Sequence, residues 1–283
     1  MGKFRKILVA VDDSEASLHA LKESLRLAQA EQSDIMAVAV SPPYEGDLRL
    51  VGVRDIKALF REPCETALTA ATKVAEAENI PLRTACLEGV PHEEIVDLAD
   101  AEDFDLIVMG IGGNSTEKFR LGSITARVIG YSQRDVLAVP AKSTIGWQNI
   151  VLATDGSKYS ENATDRALNI AKAYGAELNI VSATDFACEL YAHAPEVGED
   201  LIKKAKEHVD VGKRQADRMG IHTECFVREG FAFKAIIELA KEKSAQMIVI
   251  GSHGKTGLRR LLMGSVVEKV IGHSYCPVLV VKG

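Results

Sequence analysis

The segment Lys6-Ile-Leu-Val-Ala-Val-Asp-Asp-Ser14 recurs later in the chain as Asn149-Ile-Val-Leu-Ala-Thr-Asp-Gly-Ser157. Further along each copy, Asp105-Leu-Ile-Val-Met-Gly110 recurs as Gln246-Met-Ile-Val-Ile-Gly251. The offset between the copies stays between 141 and 143 residues, so few insertions separate them. Self-similarity over this length predicts a duplicated domain.

Within each copy, short apolar runs alternate with segments of helical periodicity. Ile7–Val11 is a run of five apolar residues, which is typical of a strand buried on both faces. Leucines then recur at helical spacing between Ser14 and Ala30, and the serine is placed to cap that helix. The alternation predicts an α/β fold with two tandem domains, 1–144 and 145–283, each a mostly parallel sheet with helices on both faces.

Composition and charge narrow the classes of function. Of the 283 residues, 47% are hydrophobic and 26% are charged, as in a globular protein. The net charge of −6 argues against a nucleic-acid partner, because the phosphate backbone is bound through basic residues. No apolar run approaches the roughly 18 residues that span a bilayer, and no secretory core follows the first methionine. These features predict a cytoplasmic protein without membrane insertion.

The five cysteines form no Cys-x-x-Cys pair. Most of them lie in apolar or strand-like runs, which favours reduced thiols in the core over a disulfide framework. The histidines are scattered and add no second pair of ligands. The sequence therefore predicts no metal site built from protein side chains.

A glycine-framed loop follows the fourth strand of the second copy, Gly251-Ser-His-Gly-Lys-Thr-Gly-Leu-Arg-Arg-Leu-Leu-Met-Gly-Ser265. Two glycines three residues apart allow backbone N–H groups to approach an anion closely. The closing Gly-Ser begins the next helix, whose free N–H groups and dipole favour negative charge. Lys255, Arg259 and Arg260 lie between with no acidic residue. This loop is suited to a di- or triphosphate.

Two better-known phosphate motifs do not fit. The Gly-Lys-Thr at 254–256 ends like a P-loop, but position 249 is Val where that motif needs Gly. No Gly-x-Gly-x-x-Gly follows the first strand, which disfavours a dinucleotide site. Ser123 and Ser265 lack a surrounding His–Asp pattern, so no catalytic residue is predicted.

The spacing Gly-x2-Gly-x9-Gly-Ser, with an Asp closing the first strand, resembles that of the universal stress protein family. The resemblance covers almost the whole chain twice, and the second copy matches the motif in full. It implies a Rossmann-like five-stranded parallel sheet in the order 3-2-1-4-5. Strands one and four would then be neighbours at the crevice where ligands usually bind. It also implies ATP as the ligand, with Mg²⁺ as an option.

The resemblance assigns roles to particular positions of the second copy. The aspartate would contact the ribose or the adenine side, the alanine would border the base, and the glycines with the serine would hold the phosphates. The positions are Asp155, Ala183, Gly251, Gly254, Gly264, Ser265 and Val266. His253 and Lys255 are further candidates from this loop itself.

The first copy departs from the motif, because only eight residues separate Gly113 from Gly122. The charged residues of its loop sum to +1, against +3 in the second copy, and its half of the chain carries −7 against +1. A weaker nucleotide site is expected there. Its candidates are Asp12, Val40, Gly110, Gly113, Gly122 and Ser123.

Three functions remain open at this point. The resemblance implies a regulatory stress-response module that binds an adenine nucleotide and hydrolyses ATP slowly at most. The alternatives are a dimerisation scaffold without a nucleotide, and an adenylating enzyme of the ATP-pyrophosphatase type, although the Ser-Gly-Gly-x-Asp-Ser loop of those enzymes is missing. The resemblance further implies pairing of the two domains through Val136–Val139 and Val278–Val281, a homodimer, and a protein partner that the sequence does not identify.

Overall fold

The computed structural model describes residues 4–43, 56–112, 121–184, 195–254 and 263–283. Over these residues the chain divides into two compact units, Phe4–Lys142 and Ser143–Gly283. Each unit is a parallel sheet whose strands alternate with helices along the chain. No helix in the described ranges is both long enough and apolar enough to cross a membrane.

The first unit contains five strands and four helices in its described part. They are β1 (Lys6–Ala10), α1 (Glu15–Glu31), β2 (Asp34–Ser41), α2 (Ile56–Glu78), β3 (Arg83–Glu88), α3 (Pro91–Ala101), β4 (Leu106–Ile111), α4 (Ser123–Tyr131) and β5 (Asp135–Pro140).

The second unit repeats this order of elements. They are β6 (Asn149–Ala153), α5 (Lys158–Tyr174), β7 (Glu177–Thr184), α6 (Pro195–Met219), β8 (Thr223–Glu229), α7 (Ala232–Glu242), β9 (Met247–Gly251), α8 (Ser265–His273) and β10 (Val278–Val281).

The strand order is β3-β2-β1-β4-β5 in the first unit and β8-β7-β6-β9-β10 in the second. The neighbouring strands within each unit pair in parallel. The predicted fold class and the 3-2-1-4-5 order are therefore confirmed. In both units the winding reverses between the first and fourth strands, which opens a crevice at their carboxyl ends.

The central strands are apolar because both of their faces are covered. Ile7, Leu8 and Val9 of β1 are fully buried, as are Ile150, Val151 and Leu152 of β6. This burial explains why the central strands appear in the sequence as continuous apolar runs, without the alternation of a half-exposed strand.

The helix that precedes each third strand begins earlier than the sequence predicts. Segments 42–62 and 185–198 are expected to be irregular, yet α2 already begins at Ile56 and α6 at Pro195. The sequence predicts a helix near 62–79, with Pro63 in its first turn. In α2 that proline lies inside the helix, which costs one backbone hydrogen bond without ending it.

The cysteine prediction is wrong for one pair. Cys64 of α2 and Cys86 of β3 form a disulfide, with their Cα atoms 6.0 Å apart. This separation is within the usual range for a disulfide. The two residues are distant in sequence and become neighbours only when α2 packs beside the edge strand. Cys225 and Cys276 carry free thiols, and Cys188 lies outside the described residues.

The first helix of each unit packs very closely against the fourth strand. A Cβ added at Gly251 would lie 2.5 Å from the carbonyl oxygen of Tyr159, and one at Gly110 would lie 2.4 Å from that of Ala16. Both carbonyls belong to the first turn of a helix. Only glycine allows this approach without a shift of backbone against backbone.

We expect Gly251→Ala to lower the free energy of unfolding by about 1–3 kcal/mol, because the new methyl group overlaps the backbone of α5. Gly264→Ala is the matched control. Its Cβ would meet nothing nearer than 3.4 Å, so its cost should stay below about 1 kcal/mol, the preference for glycine over alanine at a helix N-cap. Denaturant titration measures both. Equal losses would contradict the close-packing explanation.

Candidate functional site

Each unit has a cleft at the carboxyl ends of its first and fourth strands. The cleft of the second unit has a volume of about 230 Å³, and that of the first about 600 Å³. The crevice expected from the strand order is therefore present in both copies. The larger volume belongs to the copy for which the sequence predicts the weaker site.

The cleft of the second unit brings together nearly all the predicted residues. Those that line it are Asp155, Ala183, Gly251, His253, Gly254, Gly264, Ser265 and Val266. They come from the ends of β6, β7 and β9 and from the start of α8. Lys255 lies outside the described residues.

The cleft of the first unit is assembled in the same way. The predicted residues that line it are Asp12, Val40, Gly110, Gly122 and Ser123. Gly113 lies outside the described residues. Asp13 also lines this cleft, and the corresponding position in the second unit is Gly156. The first cleft thus has one carboxylate more than the second at this turn.

The start of α8 presents free backbone donors to the cleft. Gly264 is the N-cap and supplies no side-chain acceptor, so the N–H groups of Ser265, Val266 and Val267 have no partner within the helix. In contrast, the N-cap of α5 is Ser157, whose hydroxyl accepts a hydrogen bond from the N–H of Ser160. An N-terminus left uncapped in this way is suited to an anion.

The amide of Gly264 itself is not one of these donors. Its N–H donates to the carbonyl oxygen of Ser252, 3.1 Å away. This bond closes the chain between the end of β9 and the start of α8. Gly264 therefore contributes space and backbone shape to the predicted phosphate site, and the donors come from the three residues that follow it.

Asp155 lies beside the predicted glycine pair. Its Oδ1 accepts a hydrogen bond from the N–H of Ser157 at 3.0 Å, which holds the carboxylate in a turn. A Cβ added at Gly254 would lie 2.8 Å from Oδ2 of Asp155. The second carboxylate oxygen therefore faces Gly254 across the cleft, and a side chain at position 254 would block it.

The corresponding Asp12 is held by hydrogen bonds within its own turn. Its Oδ1 accepts hydrogen bonds from the N–H of Ser14 at 3.0 Å and from the hydroxyl of Ser14 at 2.6 Å. Burial raises the pKa of Asp12, but hydrogen bonds from Ser14 and Ser17 outweigh it, so the pKa lies below its ordinary value of 3.8. Asp12 is therefore a carboxylate at neutral pH.

His253 packs against the first turn of α5. Its ring centroid lies 5.1 Å from that of Tyr159, and its Nδ1 lies 3.2 Å from the hydroxyl oxygen of Ser252. The side chain lines the cleft. It is placed between the carboxylate turn and the start of α8, where it can contact a bound anion.

One wall of the second cleft is apolar. Of its residues, the sequence predicts Ala183 but not the others. Ala232 and Ile236, four residues apart on one face of α7, line it together with Val181. Helical periodicity identifies that face of α7 as buried, but it does not show that the face lines a cleft. An apolar wall opposite polar residues is the usual lining of a small-molecule pocket.

The described residues contain no group of three or more His, Cys, Asp or Glu side chains that could hold a metal ion. A metal ion in either cleft would therefore need ligands beyond these side chains, such as phosphate oxygens.

The universal stress protein family model matches residues 3–140 and 146–282 of this chain. The universal stress protein MJ0531 of Methanocaldococcus jannaschii is 39% identical over 140 residues, which covers 48% of this chain and 82% of that protein. The universal stress protein YxiE of Bacillus subtilis is 31% identical over 147 residues, covering 48% of this chain and 99% of that protein. Both relatives thus correspond to a single copy of the repeat.

A solved structure is similar over both copies. The crystal structure of a universal stress protein from Archaeoglobus fulgidus superimposes with a TM-score of 0.72 at 24% identity, covering 98% of each chain. At this identity the similarity supports the fold alone. The two matched ranges and this full-length similarity agree with a tandem arrangement.

We expect Asp12→Asn to destabilise the first unit at neutral pH by about 1 kcal/mol or less, because Asp12 is exposed and its hydrogen bonds are partly screened. The lowered pKa of Asp12 in the folded state means that its charge stabilises the fold above the unfolded pKa. That contribution is lost as the pH falls through the folded pKa. Urea unfolding of both proteins should therefore show a difference at about pH 7 that closes below about pH 4. A difference that does not change with pH would contradict this.

Proposed function

Because the chain belongs to the universal stress protein family, we propose that its second unit binds ATP or a related adenine nucleotide and acts as a regulatory stress-response module. The observation that carries the proposal is the uncapped N-terminus of α8, which faces the Asp155 turn across a cleft with an apolar wall. The free N–H groups of α8 suit phosphates, the Asp155 turn suits a ribose hydroxyl, and the apolar wall suits a base.

Charge favours the second unit over the first. A polyphosphate is repelled by carboxylates at close range, and the first cleft has both Asp12 and Asp13 at its mouth. The second cleft has Asp155 with a glycine beside it. Volume points the other way, since about 230 Å³ is below the roughly 300–1,000 Å³ of typical ligand pockets. The phosphates would therefore extend out of the enclosed part, along the start of α8.

We propose that the nucleotide arrives with Mg²⁺ and that turnover is slow at most. Mg²⁺ usually keeps several of its waters and is bound through substrate phosphate oxygens, so this proposal leaves Asp155, the carboxylate that lines the cleft, to the ribose hydroxyls. The seryl hydroxyl of Ser265 is a phosphate ligand in this proposal and not a nucleophile. Hydrolysis of ATP would need a general base close to the attacking water, and His253 is the first residue to test for that role.

Calorimetry with ATP tests the proposal. We expect wild-type protein to bind ATP at the second unit, and saturation at about 100 times the dissociation constant should stabilise the native state by about 2.7 kcal/mol. Gly264→Val should abolish this binding, because the branched side chain occupies the approach between His253 and the start of α8. Gly122→Val is the matched control and should lose much less.

The outcomes separate the competing functions. Absence of any stabilisation by ATP, ADP or AMP would favour a scaffold without a nucleotide. Multiple-turnover hydrolysis or transfer of an adenylate would favour an enzyme. Equal losses in Gly264→Val and Gly122→Val would overturn the assignment of the site to the second unit.

A further inference from the structure

A histidine outside the cleft packs directly against the turn that carries Asp155. A Cβ added at Gly156 would lie 2.4 Å from both Cδ2 and Nε2 of His208, on α6. Gly156 has a φ of +71°, in the left-handed region that favours glycine. The ring of His208 and the backbone of Gly156 are thus in contact, and His208 is not among the residues that line the cleft.

This contact acts on the carboxylate through the turn. Gly156 lies between Asp155 and Ser157, and the N–H of Ser157 holds Oδ1 of Asp155. The N–H of Gly156 also donates to the hydroxyl oxygen of Thr154 at 3.5 Å, but a glycine has more backbone freedom than any other residue at such a position. The ring of His208 removes part of that freedom, so the direction of Oδ2 toward the cleft depends on a residue of α6.

The first unit lacks this arrangement. By the offset of the repeat, Asp13 corresponds to Gly156 and Ala67 of α2 corresponds to His208. Asp13 is not in the left-handed region, and Ala67 is too short to reach a turn as a ring does. The small residue in the turn and the ring on the helix therefore occur together, in the unit proposed to bind the nucleotide.

We propose that His208 is a positioning residue, which holds the Asp155 carboxylate toward the ribose hydroxyls of the bound nucleotide. The inference rests on the proposed function of the second unit. Its physical basis is preorganisation, because a carboxylate that is already held in its bound direction loses less freedom when the ligand binds. The proposal predicts that replacing His208 weakens the binding of a nucleotide only when that nucleotide carries the ribose hydroxyls.

The test compares ATP with 2′,3′-dideoxy-ATP by calorimetry. His208→Ala should weaken ATP binding roughly fivefold to tenfold, the range of coupling between residues that share a partner. Its affinity for the dideoxy nucleotide should stay within about twofold of wild type. His208→Phe, which keeps a ring against Gly156, should retain most of the ATP affinity. His222→Ala, an exposed histidine of the same unit before β8, is the control and should change neither affinity.

A double-mutant cycle separates positioning from a general effect on folding. Asp155→Asn should weaken ATP binding, and adding His208→Ala to it should cause no further loss. Independent, additive losses would overturn the proposal, as would an equal loss of ATP and dideoxy-ATP binding in His208→Ala. Thermal melting of each variant verifies that it is folded. If wild-type protein binds neither nucleotide, the proposed function fails, whereas normal ATP binding by His208→Ala refutes only the role of His208.

Discussion

The approach of each unit's first helix to its fourth strand is the constraint on which both clefts depend. Gly110 and Gly251 allow the first turn of α1 and of α5 to reach the carboxyl end of the neighbouring strand at backbone distance. The aspartate just before each helix is thereby brought to the switch point of the sheet. With a side chain at either glycine, the first helix of that unit would move outward. The aspartate before the helix would then move away from the end of the fourth strand.

This packing changes how the glycine motif is understood. The sequence treats Gly251, Gly254 and Gly264 as equivalent members of a phosphate loop, but the structure gives each a different role. Gly251 makes room for a helix, Gly254 makes room for Oδ2 of Asp155, and Gly264 ends a backbone bridge to Ser252. The N–H groups that follow Gly264 have no partner within the helix, because no side chain caps α8.

Sequence patterns predict the features that depend on local chemistry. Periodicity and spacing predict the apolar run of β1 and the Ser14 cap of α1, and the family resemblance supplies the candidate residues from Asp155 to Val266. Features that depend on packing between distant elements are not visible there. Ala232 and Ile236 face a cleft only because α7 crosses β7, Cys64 meets Cys86 only because α2 packs on β3, and His208 meets Gly156 only in the folded unit.

Duplication places two chemically different clefts on one backbone plan. The same turn holds an aspartate in both units, yet in the first Oδ1 accepts two hydrogen bonds from Ser14 and a second carboxylate follows, while in the second the next residue is a glycine packed under a histidine. Because the strand order and the uncapped fourth helix are shared, these few side chains account for the electrostatic difference between the described parts of the two clefts. One backbone plan can therefore carry two clefts of different chemistry without loss of the fold.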